Sequence, residues 1–289
     1  METSIGIIGG SGLDEMDVLE DVEEVEVSTP FGPPSDRLVV GRYHGRRLVF
    51  LPRHGRGHRL LPSEVPYRAN VYALKSLGVE RVISLSAVGS LAEEVRPGHI
   101  CLPGQFIDRT WGRQNTFFGN GIVGHVSMAD PVCPDLQQAV WETREAVGVE
   151  FHRGGSFLCI QGPQFSSRAE SLVYRGLGAR VIGMTNATEA RLAREAELCY
   201  VTVALVTDYD CWHETEEDVS VETILEVLKK NAEAARRLIR EAADRLPEGR
   251  KCSCGEAARY AIMTAQELIP AETKRSVELL YGKYIGRAG

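Results

Sequence analysis

Apolar residues in this chain come in short unbroken bursts, and the bursts alternate with stretches of helical spacing. The first burst, Ile5-Gly-Ile-Ile8, runs into Gly9-Gly10-Ser11-Gly12, the pattern of a buried strand feeding a tight turn. Residues 37–43 and 47–52 read as a hairpin turned at His44-Gly45. Residues 65–77 carry apolar positions three and four apart and meet Gly78, which predicts a helix with a glycine C-cap. A strand is expected over 79–88, a helix over 137–147 stopped by Gly148, and a strand over 180–184 followed by a helix over 189–197. A buried strand over 200–207 and a long amphipathic helix over 221–246 complete the series. Such alternation predicts the α/β class, here a single domain with a mostly parallel central mixed sheet flanked by helices. At Leu246-Pro-Glu-Gly-Arg-Lys-Cys-Ser-Cys-Gly255 the composition shifts. We place the main domain at 1–246 and read 247–289 as a C-terminal extension of it, helical over 256–284.

Composition changes this picture little. The length of 289 residues fits one large α/β domain, and 43% hydrophobic with 25% charged residues is ordinary for a globular protein. The net charge of −7, with both signs mixed along the chain, argues against nucleic acid or an anionic membrane as partner. No stretch reaches the roughly 18 apolar residues of a membrane span, and Met1-Glu2-Thr3 lacks a basic leader, so a cytoplasmic location is expected.

The candidate chemistry lies where strands end. Taken alone, Gly9-Gly10-Ser11-Gly12 reads first as a plain turn. It fits neither the dinucleotide nor the Walker pattern, but its hydroxyl and successive N–H groups suit a single phosphate. Pro52-Arg-His-Gly-Arg-Gly-His58 is either a solvated basic turn or an anion site in which Arg53 supplies a planar donor fork and His54 a further donor. Ser86-Ala87 and Met184-Thr185 offer hydroxyls and amides at strand ends, where α/β sheets bind ligands. Thr207-Asp-Tyr-Asp-Cys-Trp212 places two carboxylates after a buried strand; they form a solvated turn or address a heterocycle, with one pKa raised into the range of a proton donor. The loop Gly162-Pro-Gln-Phe-Ser-Ser-Arg-Ala-Glu170 adds an aromatic ring and hydroxyls.

Over residues 5 to 245 the segments GIIGGSGL, RHGRGH, FIDRT, GPQFSSRAES, TDYDCW and VSVETIL resemble, in order, the methylthioadenosine-type members of the trimeric purine nucleoside phosphorylase family. The resemblance implies phosphorolysis of 5′-methylthioadenosine to adenine and 5-methylthioribose 1-phosphate. Inorganic phosphate would be co-substrate, with no other cofactor and no metal. It further implies that Ser11, Arg53, His54, Ser86, Ala87 and Thr185 bind phosphate, and that Met184 lies against the ribose. Phe165 would pack on the purine and Ser166, Asp208 and Asp210 would address its edge, with Asp208 the general acid toward N7. Val221, Ile224 and Leu225 would line the 5′ pocket, and His125 would reach it from a neighbour in a homotrimer or a dimer of trimers. Serine stands at 11 and 86 where the family usually has threonine, Thr188 makes the local helix start uncertain, and Gln161 and Gln164 replace charged residues. The rival activities are phosphorolysis of 6-oxopurine nucleosides such as inosine or methylthioinosine, in enzymes that generally carry asparagine in the TDYD segment, and non-catalytic nucleoside binding.

Seven cysteines are scattered through the chain. Cys252 and Cys254 lack obvious partners for a four-ligand zinc site. They are expected either as reduced thiols or, as in the Cys-x-Cys tails of thermophilic archaeal relatives, oxidised to each other or in exchange with Cys133 and Cys199.

Overall fold

The computed structural model describes residues 4–10, 19–213 and 221–286, with the backbone alone for 221–226, 228 and 229. One mixed sheet holds strands β1 Ser4–Gly9, β2 Glu20–Val25, β3 Leu38–Tyr43, β4 Arg46–Pro52, β5 Val79–Ser90, β6 Ile100–Leu102, β7 Gln105–Arg109, β8 Phe151–Arg153, β9 Ser156–Ile160, β10 Ala179–Gly183 and β11 Cys199–Asp208. Around it lie α1 Tyr67–Ser76, α2 Pro134–Trp141, α3 Arg144–Val147, α4 Arg168–Gly176, α5 Asn186–Glu195, α6 Val221–Arg245 and α7 Ala271–Ile285.

The long strand β5 is the branch point. Its first half pairs with β1, most of its length pairs with β11, both in parallel, and its last residues Gly89 and Ser90 pair antiparallel with β10. From this junction one arm runs β1-β4-β3-β2, another β10-β9-β7, and a third through β11 to β6 and β8. The pairings of β1 with β4, β9 with β10, β7 with β9 and β6 with β8 are also parallel.

Helices on both faces explain why β1 and β11 read as unbroken apolar runs. Odd-numbered Ile5, Ile7, Val201, Val203 and Leu205 face α2 and α6, whose Ala235, Leu238, Ile239 and Ala242 recur at helical spacing. Ile8 and Tyr200 turn the other way, into a cluster with Leu74 of α1, Ala193 of α5 and Tyr281 of α7. The hairpin β3–β4 turns at His44 and Gly45 with φ of 47° and 78°, as a two-residue turn of this twist requires.

Four expectations need correction. The helix expected over 137–147 is two helices, α2 and α3, separated at Glu142-Thr143, although Gly148 does end it with φ of 75°. The helix expected from 189 begins at Asn186, so Thr188 lies inside it, buried. The segment 256–284 is helical only from Ala271, after Pro270. Before that it makes short turns, such as Ala261 N–H to Ala258 O, and gives Met263 N–H to Val123 O instead of to its own helix. Finally, the fold supplies the partners that spacing alone did not: Cys133, before α2, and Cys199, at the start of β11, meet Cys252 and Cys254 in one cluster. None of the seven cysteines is bonded to another.

Candidate active site

The carboxyl ends of β1, β4, β5 and β11 open on the same side of the sheet because these strands are parallel. Strand β10 runs back along the end of β5, with Ile182 opposite Gly89, so the chain leaving it at Met184-Thr185 heads toward Ala87 and Ser86.

Arg53 follows β4, and its backbone N–H bonds to Gly9 O at 2.9 Å, which ties the basic turn to the glycine turn. Its side chain is buried. Nε donates to Glu189 Oε1 at 2.5 Å, Nη2 to Glu189 Oε2 at 3.3 Å and to Ser84 Oγ at 2.7 Å, and Nη1 to Leu85 O at 3.0 Å. Ser84 Oγ and Tyr200 OH also donate to Glu189 Oε2, and Asn186 Nδ2 donates to Ser84 Oγ. Burial disfavours the carboxylate of Glu189, but the Arg53 charge and these donors outweigh it, and its pKa is lowered. Most of the Arg53 fork is therefore committed to the protein, with one Nη1 N–H left over.

Beside it, the ring of His54 stacks on His58 with centroids 4.3 Å apart. Nδ1 lies 2.8 Å from Leu60 O. A carbonyl only accepts, so Nδ1 carries the proton. Burial, and then the Arg53 charge, push the His54 pKa down to about 4. Neutral His54 thus presents Nε2 as an acceptor, suited to the O–H of a monohydrogen phosphate, where a donor was expected. Ser86 and Thr185 are buried at the neighbouring strand ends, while Ala87 is exposed.

The second group of residues gathers where β11 ends. Asp208 accepts from Thr207 Oγ1 at 2.6 Å and from the Asp210 N–H at 2.8 Å. Burial nevertheless dominates, and with Asp210 nearby it holds the Asp208 pKa above the ordinary carboxylate range. Burial raises Asp210 as well, with the hydroxyls of Ser171 and Ser166 pulling the other way. Gly89 makes room for this arrangement: a Cβ there would come within 2.9 Å of Asp208 Oδ1. Cys211 Sγ donates to Ser166 O at 3.1 Å, joining this loop to the one before α4. There a capping box of Ser167 and Glu170 starts the helix. Among the described residues, Ser166 Oγ, Ser171 Oγ and Asp210 Oδ2 are buried without closing a hydrogen bond. Phe165, half exposed, stands on the same loop.

Met184 is half-buried between the two groups, against Gly162. Sequence reasoning missed what fixes it. Arg113 donates to Met184 O at 2.6 Å and to Gln161 O at 2.8 Å, clamping both strand ends. It also missed Ser84 and Glu189, although a serine amid the apolar residues of β5 was a usable signal. His125 is not brought to these groups within one chain. It is exposed, and its backbone N–H bonds to Ala261 O in the C-terminal segment. Ser11 lies outside the described residues, as do the side chains of Val221, Ile224 and Leu225 in the first turns of α6.

Comparison with known proteins identifies the family. The profile of the phosphorylase superfamily matches residues 4–244. The chain is 57% identical to S-methyl-5′-thioadenosine phosphorylase of Geobacter sulfurreducens, over 99% of this chain and 100% of that one. It is 55% identical to the protein of the same name from Koribacter versatilis, over 99% and 98%. Among solved structures, a methylthioadenosine phosphorylase from an antarctic soil metagenomic library superposes with a TM-score of 0.93 at 47% identity, covering 96% of this chain and 99% of that one. The methylthioadenosine phosphorylase of Schistosoma mansoni in complex with adenine gives 0.84 at 39%, covering 89% and 96%. The chain belongs to the phosphorylase superfamily.

Proposed function

We propose that the protein cleaves 5′-methylthioadenosine with inorganic phosphate. A phosphate oxygen forms a bond to C1′ as the C1′–N9 bond breaks. The electron pair leaves with the base, and a proton passes to the purine at N7. The products are adenine and 5-methylthioribose 1-phosphate. The observation that carries this reading is the pair of carboxyls with raised pKa values, Asp208 and Asp210, beside Ser166 and Ser171, whose hydroxyls approach Asp210 without closing a full hydrogen bond. Buried polar groups without partners are costly, and a purine edge supplies the donors and acceptors they need.

In this reading Asp208 is the acid toward N7, and Asp210 and Ser166 take the amino edge, while Phe165 stacks on the ring. A carboxylate suits a 6-amino group, whereas a 6-oxo group would set two acceptors together. Phosphate sits among Ser11, Arg53, His54, Ser86, Ala87 and Thr185, with Met184 against the ribose between the two halves. Because positive charge develops on the sugar as the base departs, an anion held at C1′ is worth most in the transition state. Proton donation and anion placement supply both activations, so the reaction needs no further cofactor.

We also infer a cytoplasmic homotrimer or dimer of trimers, in which Val221, Ile224 and Leu225 with a neighbour's His125 complete the 5′ pocket. Exposed Val123, Tyr260 and Met263, on the loop of His125 and the segment bonded to it, support a covered surface there. Incubation with methylthioadenosine, with and without phosphate, tests the activity. Adenine should appear only when phosphate is present; equal release in phosphate-free buffer contradicts the proposal.

A further inference from the structure

At the opposite end of β11 from Asp208, roughly 30 Å away along a strand rising about 3.3 Å per residue, four thiols from three distant parts of the chain converge. Cys133 immediately precedes α2, Cys199 opens β11, and Cys252 and Cys254 flank Ser253 at a short turn after α6. All four Sγ atoms lie within 4.8 Å of one another, with Cys199 and Cys252 at 3.3 Å. Cys133, Cys199 and Cys254 are buried and Cys252 is half-buried. The backbone holds the ligating positions in place: Cys133 N–H bonds to Tyr200 O at 3.0 Å, which locks the start of α2 to the start of β11.

Three arrangements of four adjacent thiols need to be separated. A disulfide requires sulfurs about 2.05 Å apart, and no pair here is bonded. Four protonated thiols packed together are weak donors and weak acceptors, with little to hold them at mutual contact. A tetrahedral ion with Zn–S bonds of about 2.3 Å places its four sulfurs about 3.8 Å apart, inside the spread observed. Two disulfides would also engage all four thiols, but only as separate bonded pairs, whereas the ion gathers all four sulfurs around one point. Among the described residues this is also the one cluster of three or more histidine, cysteine or acidic side chains with metal-ligand geometry.

We propose that Cys133, Cys199, Cys252 and Cys254 bind one Zn²⁺ as a closed structural site that fastens the C-terminal segment to the sheet. Each thiol that is protonated before binding gives up its proton, and four thiolates around a dication leave a net charge of −2. Arg194, whose Nη1 lies 4.0 Å from Cys254 Sγ, offsets part of that charge. With four protein ligands no position is open to substrate, so the ion takes no part in the chemistry at the other end of the strand.

The location explains what such a site does. Residues 247–270 hold no helix beyond two short 3₁₀ turns, yet they carry bonds on which the His125 loop depends. Ala261 O accepts from His125 N–H, Met263 N–H donates to Val123 O, and Thr264 Oγ1 accepts from Val123 N–H. A metal anchor seven residues before Ala261 restrains a segment with too little regular structure to restrain itself.

The test is metal analysis of the whole protein, expressed in zinc-supplemented medium and purified with reductant and without chelator. Mass spectrometry of the metal should find about one zinc per chain, and X-ray absorption at the zinc edge should fit four sulfurs at about 2.3 Å. Replacing Cys252→Ser with Cys254→Ser should abolish stoichiometric zinc. If that variant fails to fold, the wild-type content and absorption spectrum still decide. Stripping zinc from the wild type with a strong chelator should lower the thermal midpoint by several degrees, and zinc alone should restore it. Less than about a tenth of a zinc per chain after reconstitution with zinc sulfate overturns the proposal. So does a coordination shell containing nitrogen or oxygen, iron in place of zinc, or disulfides among these four cysteines in freshly prepared protein.

Discussion

Asp208 is half-buried and Glu189 buried, yet their surroundings push these two acidic side chains in opposite directions. Asp208 has burial and a neighbouring carboxylate against two donors, and its pKa rises; Glu189 has a guanidinium and two hydroxyls, and its pKa falls. One is thereby suited to give a proton, the other to stay charged and hold Arg53. Asp208→Asn should lower kcat by about 10²- to 10⁴-fold, the usual worth of general acid catalysis, with the KM for phosphate little changed. Near-parental turnover at neutral pH contradicts the assignment. Glu189→Ala should leave Arg53 buried and unpaired, at a cost of about 3–5 kcal/mol in denaturant unfolding. The TDYD and RHGRGH segments were legible because charged residues directly after apolar strands are conspicuous. Glu189 was not, because in sequence it is an ordinary acid in the first turn of a helix, and only the fold turns it inward toward Arg53.

Among the elements, those with strong periodicity or apolar continuity were read within a few residues: β1, β3, β4, α1, β5, β11 and α6. The acidic strand β2, with Glu20, Asp21, Glu23 and Glu24 exposed, escaped because an edge strand needs no apolar face. Strands β6 and β8 are three residues each, too short to show a period. The segment before α7 looked helical but gives its bonds to the His125 loop, a competition no local pattern reveals. That loop is held from its other side by Glu195 of α5, which accepts from Thr116 Oγ1 at 2.8 Å and from Phe117 N–H at 2.6 Å. Burial raises the Glu195 pKa to about 7 despite these donors. Because the folded pKa lies above the unfolded value of 4.5, the native state binds the extra proton between these values. This contribution is fully present below about pH 4.5 and is lost as pH rises through about 7. At most it amounts to about 3 kcal/mol, since one pKa unit is about 1.4 kcal/mol. Glu195→Gln should flatten that fall in chemical-denaturation stability measured from pH 4.5 to 8. A variant whose pH profile parallels the parent's refutes the role.

For the whole molecule, a single chain brings Arg53, His54, Ser86 and Thr185, with Asp208 and Asp210, to one side of the sheet but leaves His125 exposed on a loop joined to the C-terminal segment. The shared site proposed between subunits would account for both. Co-expressing His125→Ala with Asp208→Asn chains should restore parental sites wherever an Asp208→Asn chain lends its histidine to a His125→Ala chain, about a quarter of all sites in random mixing. Activity no higher than that of either variant alone, or sedimentation as an active monomer, rules the shared site out. The central claim, attack by phosphate at C1′ of the nucleoside, is tested most directly with phosphate labelled by ¹⁸O at every oxygen. The account predicts 5-methylthioribose 1-phosphate in which the oxygen bridging carbon and phosphorus is ¹⁸O. A bridging oxygen of natural abundance, meaning that water cleaved the bond and phosphate joined later, contradicts it.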